Sequence, residues 1–168
     1  MQAQGLIMNK ESSVEKSSRH QKIIGDFGEN LICNWLSRSG YEVSIVDHTG
    51  IDIVAYNTKS QERLGITVKS RTRTEGKEKE PVNLFDSEGR QKLLDACGYF
   101  GCKPWIAVYV ETTNCADVFL TSLENYDRKY HRERKTDVWS MRPKHMKNYD
   151  SDKKVMHLHI KFEPKNWF

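Results

Sequence analysis

Residues 50–71, GIDIVAYNTKSQERLGITVKSR, constrain the fold more than any other part of the chain. Two runs rich in β-branched residues, 51–56 and 64–69, are separated by a polar stretch, a pattern typical of two strands joined by a turn. Each run carries one unexpected charge, Asp52 near the start of the first and Lys69 at the end of the second. Because an unpaired charge in an apolar strand costs free energy, both side chains are candidates for a functional site.

The alternation of side chains along a strand relates these two charges to each other. Asp52 shares a strand face with Val54, and Thr67 shares one with Lys69. We expect an antiparallel hairpin in which Asp52 lies opposite Lys69 and Val54 lies opposite Thr67, with paired Cβ atoms about 4.5 to 5.5 Å apart. One interpretation is an ordinary cross-strand ion pair, which contributes little to stability when it is exposed. The other is a catalytic pair.

Hydrophobic periodicity predicts the elements around this hairpin. The segment IGDFGENLICNWLSRSG, 24–40, places its apolar residues on one broad helical arc and ends in a glycine. Further strands are predicted at 41–46, PWIAVYVET, ADVFLTSL and KVMHLHIKFE, and a second helix at 87–100. The first three strands are expected to form an antiparallel meander, and PWIAVYVET, which is almost continuously apolar, is expected to be central. This order of elements indicates an α/β fold, a mixed sheet flanked by helices.

Glu29 lies at the edge of the apolar arc of the first helix, about 20° from Leu36, and can lean toward the sheet. Two converging carboxylates, Glu29 and Asp52, would suit Mg²⁺, which typically takes one or two protein carboxylates and keeps waters or phosphate oxygens as its other ligands. A lysine beside them can orient the attacking water and offset charge that develops on a phosphate. Hydrolysis of a phosphodiester requires these groups.

The same residues resemble the pattern of the PD-(D/E)xK nuclease superfamily, in particular its Mrr-like and Holliday-junction-resolvase-like branches. The matching stretches are GDFGE (25–29), GID (50–52) and TVKSR (67–71). The resemblance covers about residues 24–120 and implies a restriction-endonuclease-like α-β-β-β-α-β core. It implies that Asp52 and Glu29 bind a catalytic Mg²⁺ or Mn²⁺, that Lys69 is the catalytic lysine, and that the carbonyl of Val68 is a further metal ligand. The implied activity is a metal-dependent endonuclease acting on DNA, and such enzymes often work as homodimers.

Thr67 departs from that pattern, because the family places Glu, Asp or, in some branches, Gln two residues before the lysine. A hydroxyl is a weaker metal ligand than a carboxylate. The second acidic ligand therefore comes from Glu29 or from elsewhere, with Asp47 as a spare candidate, or is missing. The sequence leaves open a nuclease-fold module that binds nucleic acid without cleaving it. It also leaves open, with less support, a protein-interaction domain in which Asp52 and Lys69 form only an ion pair.

Basic residues concentrate in one region of a moderately basic chain, whose net charge is +4. Residues 128–147 are rich in Lys and Arg and carry interleaved aromatic and histidine side chains, a composition typical of nucleic-acid surfaces. A solvated basic loop is the alternative interpretation. The side chains expected to contact DNA are Arg71, Arg73, Arg132, Arg134 and Lys135.

Cysteine and histidine patterns add less. The four cysteines form no CxxC pair, and three lie within or beside apolar runs, as reduced thiols of a cytoplasmic protein do. His157 and His159 share one face of a predicted strand. A pair of this kind can bind zinc, but without a third ligand in view a polar outer face is the favoured interpretation.

The ends of the chain complete the predicted organisation. No stretch approaches the roughly 18 apolar residues of a membrane span, and the start lacks the apolar block of a secretory signal. We expect residues 1–20 to be a disordered tail and residues 21–168 to form a single nuclease-like domain. Within that domain we expect the core at about 24–120 and a basic extension at about 121–168.

Overall fold

The computed structural model describes residues 14–165. Most of the segment expected to be a tail, residues 1–13, therefore lies outside the described residues. Helix α1 (His20–Arg38) is followed by strands β1 (Tyr41–His48), β2 (Ile51–Asn57) and β3 (Arg63–Thr72). Next come β4 (Val82–Asp86), α2 (Ser87–Phe100), β5 (Lys103–Glu111) and β6 (Cys115–Ser122). The remainder forms α3 (Leu123–Lys129), β7 (Thr136–Trp139), α4 (Pro143–Ser151) and β8 (Val155–Lys161).

The main sheet has six strands in the order β1-β2-β3-β5-β6-β8. The predicted antiparallel meander of β1, β2 and β3 is confirmed. Strand β5 runs parallel to β3 and antiparallel to β6, which makes the sheet mixed and places β5 in its interior as predicted. Strands β4 and β7 pair in a separate two-stranded sheet that the sequence analysis did not predict.

The register of the β2–β3 hairpin differs from the predicted one. Ile53 lies opposite Ile66 and Val54 lies opposite Gly65. The prediction that Asp52 lies opposite Lys69 is therefore wrong, and continuing the observed pairing places Thr67 opposite Asp52. Because the shift is an even number of residues, Asp52 and Lys69 keep the same sheet face.

A tight turn sets this register. The backbone N–H of Asn57 donates to the carbonyl of Glu62 at 2.8 Å and closes the loop. The side-chain oxygen of Asn57 accepts hydrogen bonds from the backbone N–H groups of Lys59 and Ser60 at 3.0 and 3.1 Å. Gln61 adopts the left-handed conformation, with φ of 58°. These local hydrogen bonds fix the position of the turn, so that Val54 pairs with Gly65 instead of Thr67.

Helices cover both faces of the main sheet. Helix α1 packs against buried residues of β2 and β3 that include Ile53, Ala55 and Ile66, whereas α2 packs its buried Leu93 and Cys97 on the other face. Residues of the basic extension belong to the α2-side core, where Trp139 stacks on Tyr149 with ring centroids 4.1 Å apart. The described part of the extension is therefore continuous with the nuclease-like core. None of the helices among the described residues has the length and apolarity needed to cross a membrane.

Candidate active site

Helix α1 approaches β3 closely at Gly28. A Cβ atom added at Gly28 would lie 2.1 Å from Oγ of Ser70 and 3.4 Å from Cβ of Tyr109, so a side chain does not fit there without movement. The buried residues Ile24, Gly28, Ile32 and Leu36 recur at every fourth position and form the stripe that packs on the sheet. Glu29 directly follows Gly28 in the sequence. The packing of α1 on the sheet therefore also places Glu29 next to the sheet.

Glu29 lines an open cavity of about 550 Å³ together with residues of several elements. Strand β3 contributes Val68, Lys69 and Arg71, and the small sheet contributes Asn83 and Asp86 from β4 and Thr136 from β7. Four of the predicted site residues, Glu29, Val68, Lys69 and Arg71, thus share one cavity. Asp52 adjoins it through Val68.

The carboxylate of Asp52 is fixed by two hydrogen bonds. Its Oδ2 atom accepts a bond from the backbone N–H of Val68 at 2.6 Å and another from Oγ1 of Thr67 at 3.3 Å. Thr67 is buried, with 5% of its surface exposed. The hydroxyl at the position where the nuclease pattern has an acidic or amide residue therefore holds Asp52 in place. The assignment of the Val68 carbonyl as a metal ligand stays a prediction.

Glu29 and Asp52 repel each other electrostatically. Burial raises the pKa of Glu29, and the negative charges of Asp52 and Asp26 raise it further, while Lys22 lowers it. Asp47, the spare candidate ligand, makes a smaller contribution in the same upward direction. A carboxylate in the cavity wall with a second carboxylate nearby forms a donor set suited to a hard divalent cation.

The donor set around this pair is small. Within residues 14–165, no third carboxylate, histidine or cysteine joins Glu29 and Asp52 in a group of three close ligand atoms. Mg²⁺ accommodates such a set, since it commonly binds one or two protein carboxylates and completes its octahedron with water and substrate oxygens. The residues present therefore fit the metal that the resemblance implies.

Lys69 forms no ion pair with any residue in the described part of the chain, and Asp52 forms none either. The interpretation of these two charges as a cross-strand ion pair is therefore wrong. The ammonium group of Lys69 remains available to a ligand that enters the cavity.

The two arginines after Lys69 have different surroundings. Arg71 lines the cavity and donates from Nη1 to the carbonyl of Ser70 at 2.7 Å. Arg73 donates to the carbonyl of Pro81 at 2.8 Å and pairs with Glu80 at 3.4 Å, with only 15% of its side chain exposed. Burial lowers the pKa of Arg73, and the negative charge of Glu80 partly offsets this decrease. Arg73 therefore fixes the position of the segment before β4 through Glu80 and Pro81. Its contact with DNA stays a prediction.

The other predicted DNA contacts lie in the exposed segment that leads into β7, and they are Arg132, Arg134 and Lys135. The next residue, Thr136, lines the cavity. Burial lowers the pKa of His145, and the positive charges of Arg132, Lys144 and Arg142 lower it further. Arg132 before β7 therefore lies near His145, as do Arg142 and Lys144 at the start of α4. Together with Arg134 and Lys135, which follow Arg132 in the same exposed segment, we call these residues the basic patch.

The small sheet also lines the cavity, and its residues there, including Asp86 and Thr136, were not predicted from the sequence. The carboxylate of Asp86 caps helix α2 by accepting a hydrogen bond from the backbone N–H of Gly89 at 2.8 Å. An Asp three residues before a helical N–H is a readable capping signal. No comparable signal marks Thr136, because β7 pairs with a strand about fifty residues away in sequence.

Comparisons with known proteins support the fold. No protein-family model matches the chain, and no curated protein matches it significantly. Among solved structures, the chain is similar to Hjc, a Holliday junction resolvase from the archaeal hyperthermophile Archaeoglobus fulgidus, with a TM-score of 0.52 and 20% sequence identity. The alignment covers 69% of this chain and 83% of the resolvase. The predicted restriction-endonuclease-like α/β fold is therefore confirmed.

Proposed function

We propose that this protein, which has the fold of PD-(D/E)xK nucleases, is a metal-dependent endonuclease that hydrolyses the phosphodiester bonds of DNA. The observation that carries the proposal is that Glu29 and Lys69 line one open cavity, while Asp52 is bonded to the cavity residue Val68 and is near enough to raise the pKa of Glu29. Ordinary packing gives no reason to bring two carboxylates near a lysine that forms no ion pair within the described part of the chain.

The chain's own residues have distinct roles in this proposal. A bound Mg²⁺ or Mn²⁺ would acidify a water molecule and stabilise charge on the phosphate. Asp52 is held through Oδ2 by Val68 and Thr67, which leaves Oδ1 for a ligand. Glu29 provides the second carboxylate from α1. The ammonium group of Lys69 orients the attacking water and offsets charge on the scissile phosphate.

The basic patch supports DNA as the partner. Lys135 of the patch is exposed and directly precedes Thr136, which lines the cavity with Lys69, so we expect a duplex bound at the patch to extend toward the cavity. Contacts from Arg and Lys to phosphates give affinity without sequence preference. A homodimer would let two copies of the cavity act on two strands. The four cysteines are free within the described residues, in keeping with our assignment to the cytoplasm.

A second candidate function is supported by Thr67. Its hydroxyl is buried and donates to Asp52, so this position offers no acidic ligand. A nuclease-fold module that binds DNA and has lost cleavage would show this arrangement. The two functions differ in whether the cavity binds a divalent cation.

Thermal unfolding with and without Mg²⁺ separates them. For the endonuclease, we expect the Tm of metal-free protein to rise by about 3 to 6 °C at a tenfold excess of Mg²⁺ over its Kd. Asp52→Asn, which keeps the shape but loses the charge, should abolish that shift, whereas Asp95→Asn on the exposed face of α2 should retain it. An unchanged Tm in the wild type, together with retained DNA binding, would favour the inactive module.

A further inference from the structure

A cluster of metal-binding side chain types lies on strands β6 and β8, apart from the cavity that holds Lys69. A thiol, a carboxylate and an imidazole, those of Cys115, Asp117 and His159, each offer one ligand atom, and the three atoms lie within 4.8 Å of one another. In the sequence, His157 and His159 have no third ligand near them, which favoured a polar outer face for this strand. Strand pairing supplies the missing ligands.

The pairing of β6 with β8 fixes this geometry. Asp117 lies directly opposite His159, and Cys115 lies two residues before Asp117 on the same face of β6. Oδ1 of Asp117 is 2.8 Å from Nδ1 of His159 and 2.7 Å from Nε2 of His157. Asp117 is largely buried, with 13% of its side chain exposed, whereas His159 is 45% exposed. One side of the cluster is therefore open to solvent.

Neighbouring groups hold the ligands in place. Oγ1 of Thr112 lies 3.2 Å from Sγ of Cys115, and the backbone of Thr112 closes the β5–β6 turn with a 2.8 Å hydrogen bond to the carbonyl of Cys115. On β8, His157 holds the ligand Asp117 through its Nε2 atom and is itself held by stacking on Phe119, with ring centroids 4.4 Å apart. Such supporting contacts orient metal ligands before a metal arrives.

We propose that Cys115, Asp117 and His159 form a site for Zn²⁺ or a similar divalent ion, with solvent at the fourth position. A mixed set of sulfur, nitrogen and oxygen ligands suits this borderline-soft ion and disfavours Mg²⁺, which prefers oxygen. The bound ion would tie the edge strand β8 to β6. Nδ1 of His157 also lies 2.5 Å from Oδ1 of Asp150 on α4, so the site connects to the helix that begins at the basic patch.

This site does not depend on the proposed nuclease function, and its ligand types keep the two metals distinguishable. Co²⁺ is a spectroscopic substitute for Zn²⁺, because thiolate coordination produces a charge-transfer band in the near ultraviolet and tetrahedral geometry produces strong visible bands. Carboxylates such as Glu29 and Asp52 produce no thiolate band.

The test is a Co²⁺ titration of metal-free, reduced, full-length protein followed by absorption. We expect one thiolate-bound Co²⁺ per chain, displaced by stoichiometric Zn²⁺ but not by excess Mg²⁺. Cys115→Ser should abolish the charge-transfer band, and Asp117→Asn and His159→Gln should each weaken Co²⁺ binding by about tenfold or more. The matched controls Cys33→Ser, a partly exposed thiol on α1, and His48→Gln should bind like the wild type.

Stability provides a second readout. Zn²⁺ at a hundredfold excess over its Kd should raise the Tm of the wild type by about 5 to 10 °C and should leave Cys115→Ser unchanged. If Cys115→Ser fails to fold, Asp117→Asn and His159→Gln, which keep the thiol, decide the question. The proposal is overturned if the wild type shows no thiolate band, if the band survives in Cys115→Ser, or if both Asp117→Asn and His159→Gln bind Co²⁺ as tightly as the wild type.

Discussion

At the scale of single residues, the central feature is a carboxylate pair that is costly in the absence of a cation. Glu29 is partly buried and near Asp52, and both effects raise its pKa above the ordinary value of 4.5. A carboxyl group whose pKa is higher in the folded than in the unfolded protein stabilises the fold fully below the unfolded pKa. That contribution is lost as the pH rises through the folded pKa. At neutral pH the ionised Glu29 therefore destabilises the metal-free protein.

Glu29→Gln removes this charge while nearly preserving the shape. We expect the metal-free variant to be slightly more stable than the wild type at neutral pH. Because solvent screens these partly exposed charges, the gain should be at most about 1 kcal/mol, which corresponds to a Tm increase of up to about 4 °C. The difference should vanish as the pH falls below about 4.5. Urea unfolding in EDTA at several pH values measures this, with Glu42→Gln on β1 as the control. A variant less stable than the wild type at neutral pH would contradict the proposed repulsion.

Residue types alone selected Glu29 and Lys69, which line the cavity, and Asp52, which adjoins it, but did not predict the contacts that hold them. Asp52, Lys69 and Glu29 could be selected because charge is rare in apolar strands and because Glu29 borders the apolar face of its helix. The register of strands β2 and β3 could not be predicted, because it depends on the hydrogen bonds that Asn57 makes in the turn. The bond from Thr67 to Asp52 became visible only with that register.

At the scale of elements, the contact of α1 with β3 positions Glu29. Gly28 sits where a Cβ would meet Ser70, and Oγ of Ser70 is buried without a hydrogen-bond partner in the described structure. The two positions are therefore coupled, since removing the hydroxyl of Ser70 makes room for a methyl group at Gly28.

We expect Gly28→Ala to destabilise the fold by about 1 to 3 kcal/mol through overpacking. Adding Ser70→Ala should recover a large part of that loss. Gly25→Ala is the matched control, because nothing lies within 4 Å of its added Cβ, and it should stabilise the helix by about 0.5 to 1 kcal/mol. Denaturant unfolding of the wild type, Gly28→Ala, Ser70→Ala and the double variant measures the coupling, with Gly25→Ala unfolded in parallel. Purely additive effects of Gly28→Ala and Ser70→Ala would contradict the close contact.

Long periodic elements were predictable from the sequence, whereas short ones with distant partners were not. Helices α1 and α2 and strands β1, β2, β3, β5, β6 and β8 carry enough pattern to identify. Strand β4 spans only Val82–Asp86, and its partner β7 spans only Thr136–Trp139 in a strongly basic region. Neither shows a period by itself, and each is stabilised by the other across a long separation in sequence.

At the scale of the whole molecule, the extension shares a core with the nuclease-like fold and presents cations beside the cavity. We expect the triple reversal Arg132→Glu, Arg134→Glu and Lys135→Glu to weaken DNA binding and to lower the salt dependence of binding by about 2 to 3 log units per log unit of salt. Lys59→Glu, on the turn at the far end of β2 from Asp52, is the control and should have little effect. Fluorescence anisotropy at several salt concentrations measures both. Equal effects of the two reversals would exclude the basic patch as a specific DNA-binding surface.

The most direct test of the active-site assignment is DNA cleavage by the wild type, Asp52→Ala and Lys69→Ala, purified in parallel. The substrates are plasmid, linear, branched and single-stranded DNA, each with Mg²⁺ or Mn²⁺. We predict metal-dependent cleavage of at least one substrate by the wild type and a loss of about a thousandfold or more in both variants. Cleavage that survives both substitutions, or its absence from every wild-type reaction, would contradict an active site built from these residues.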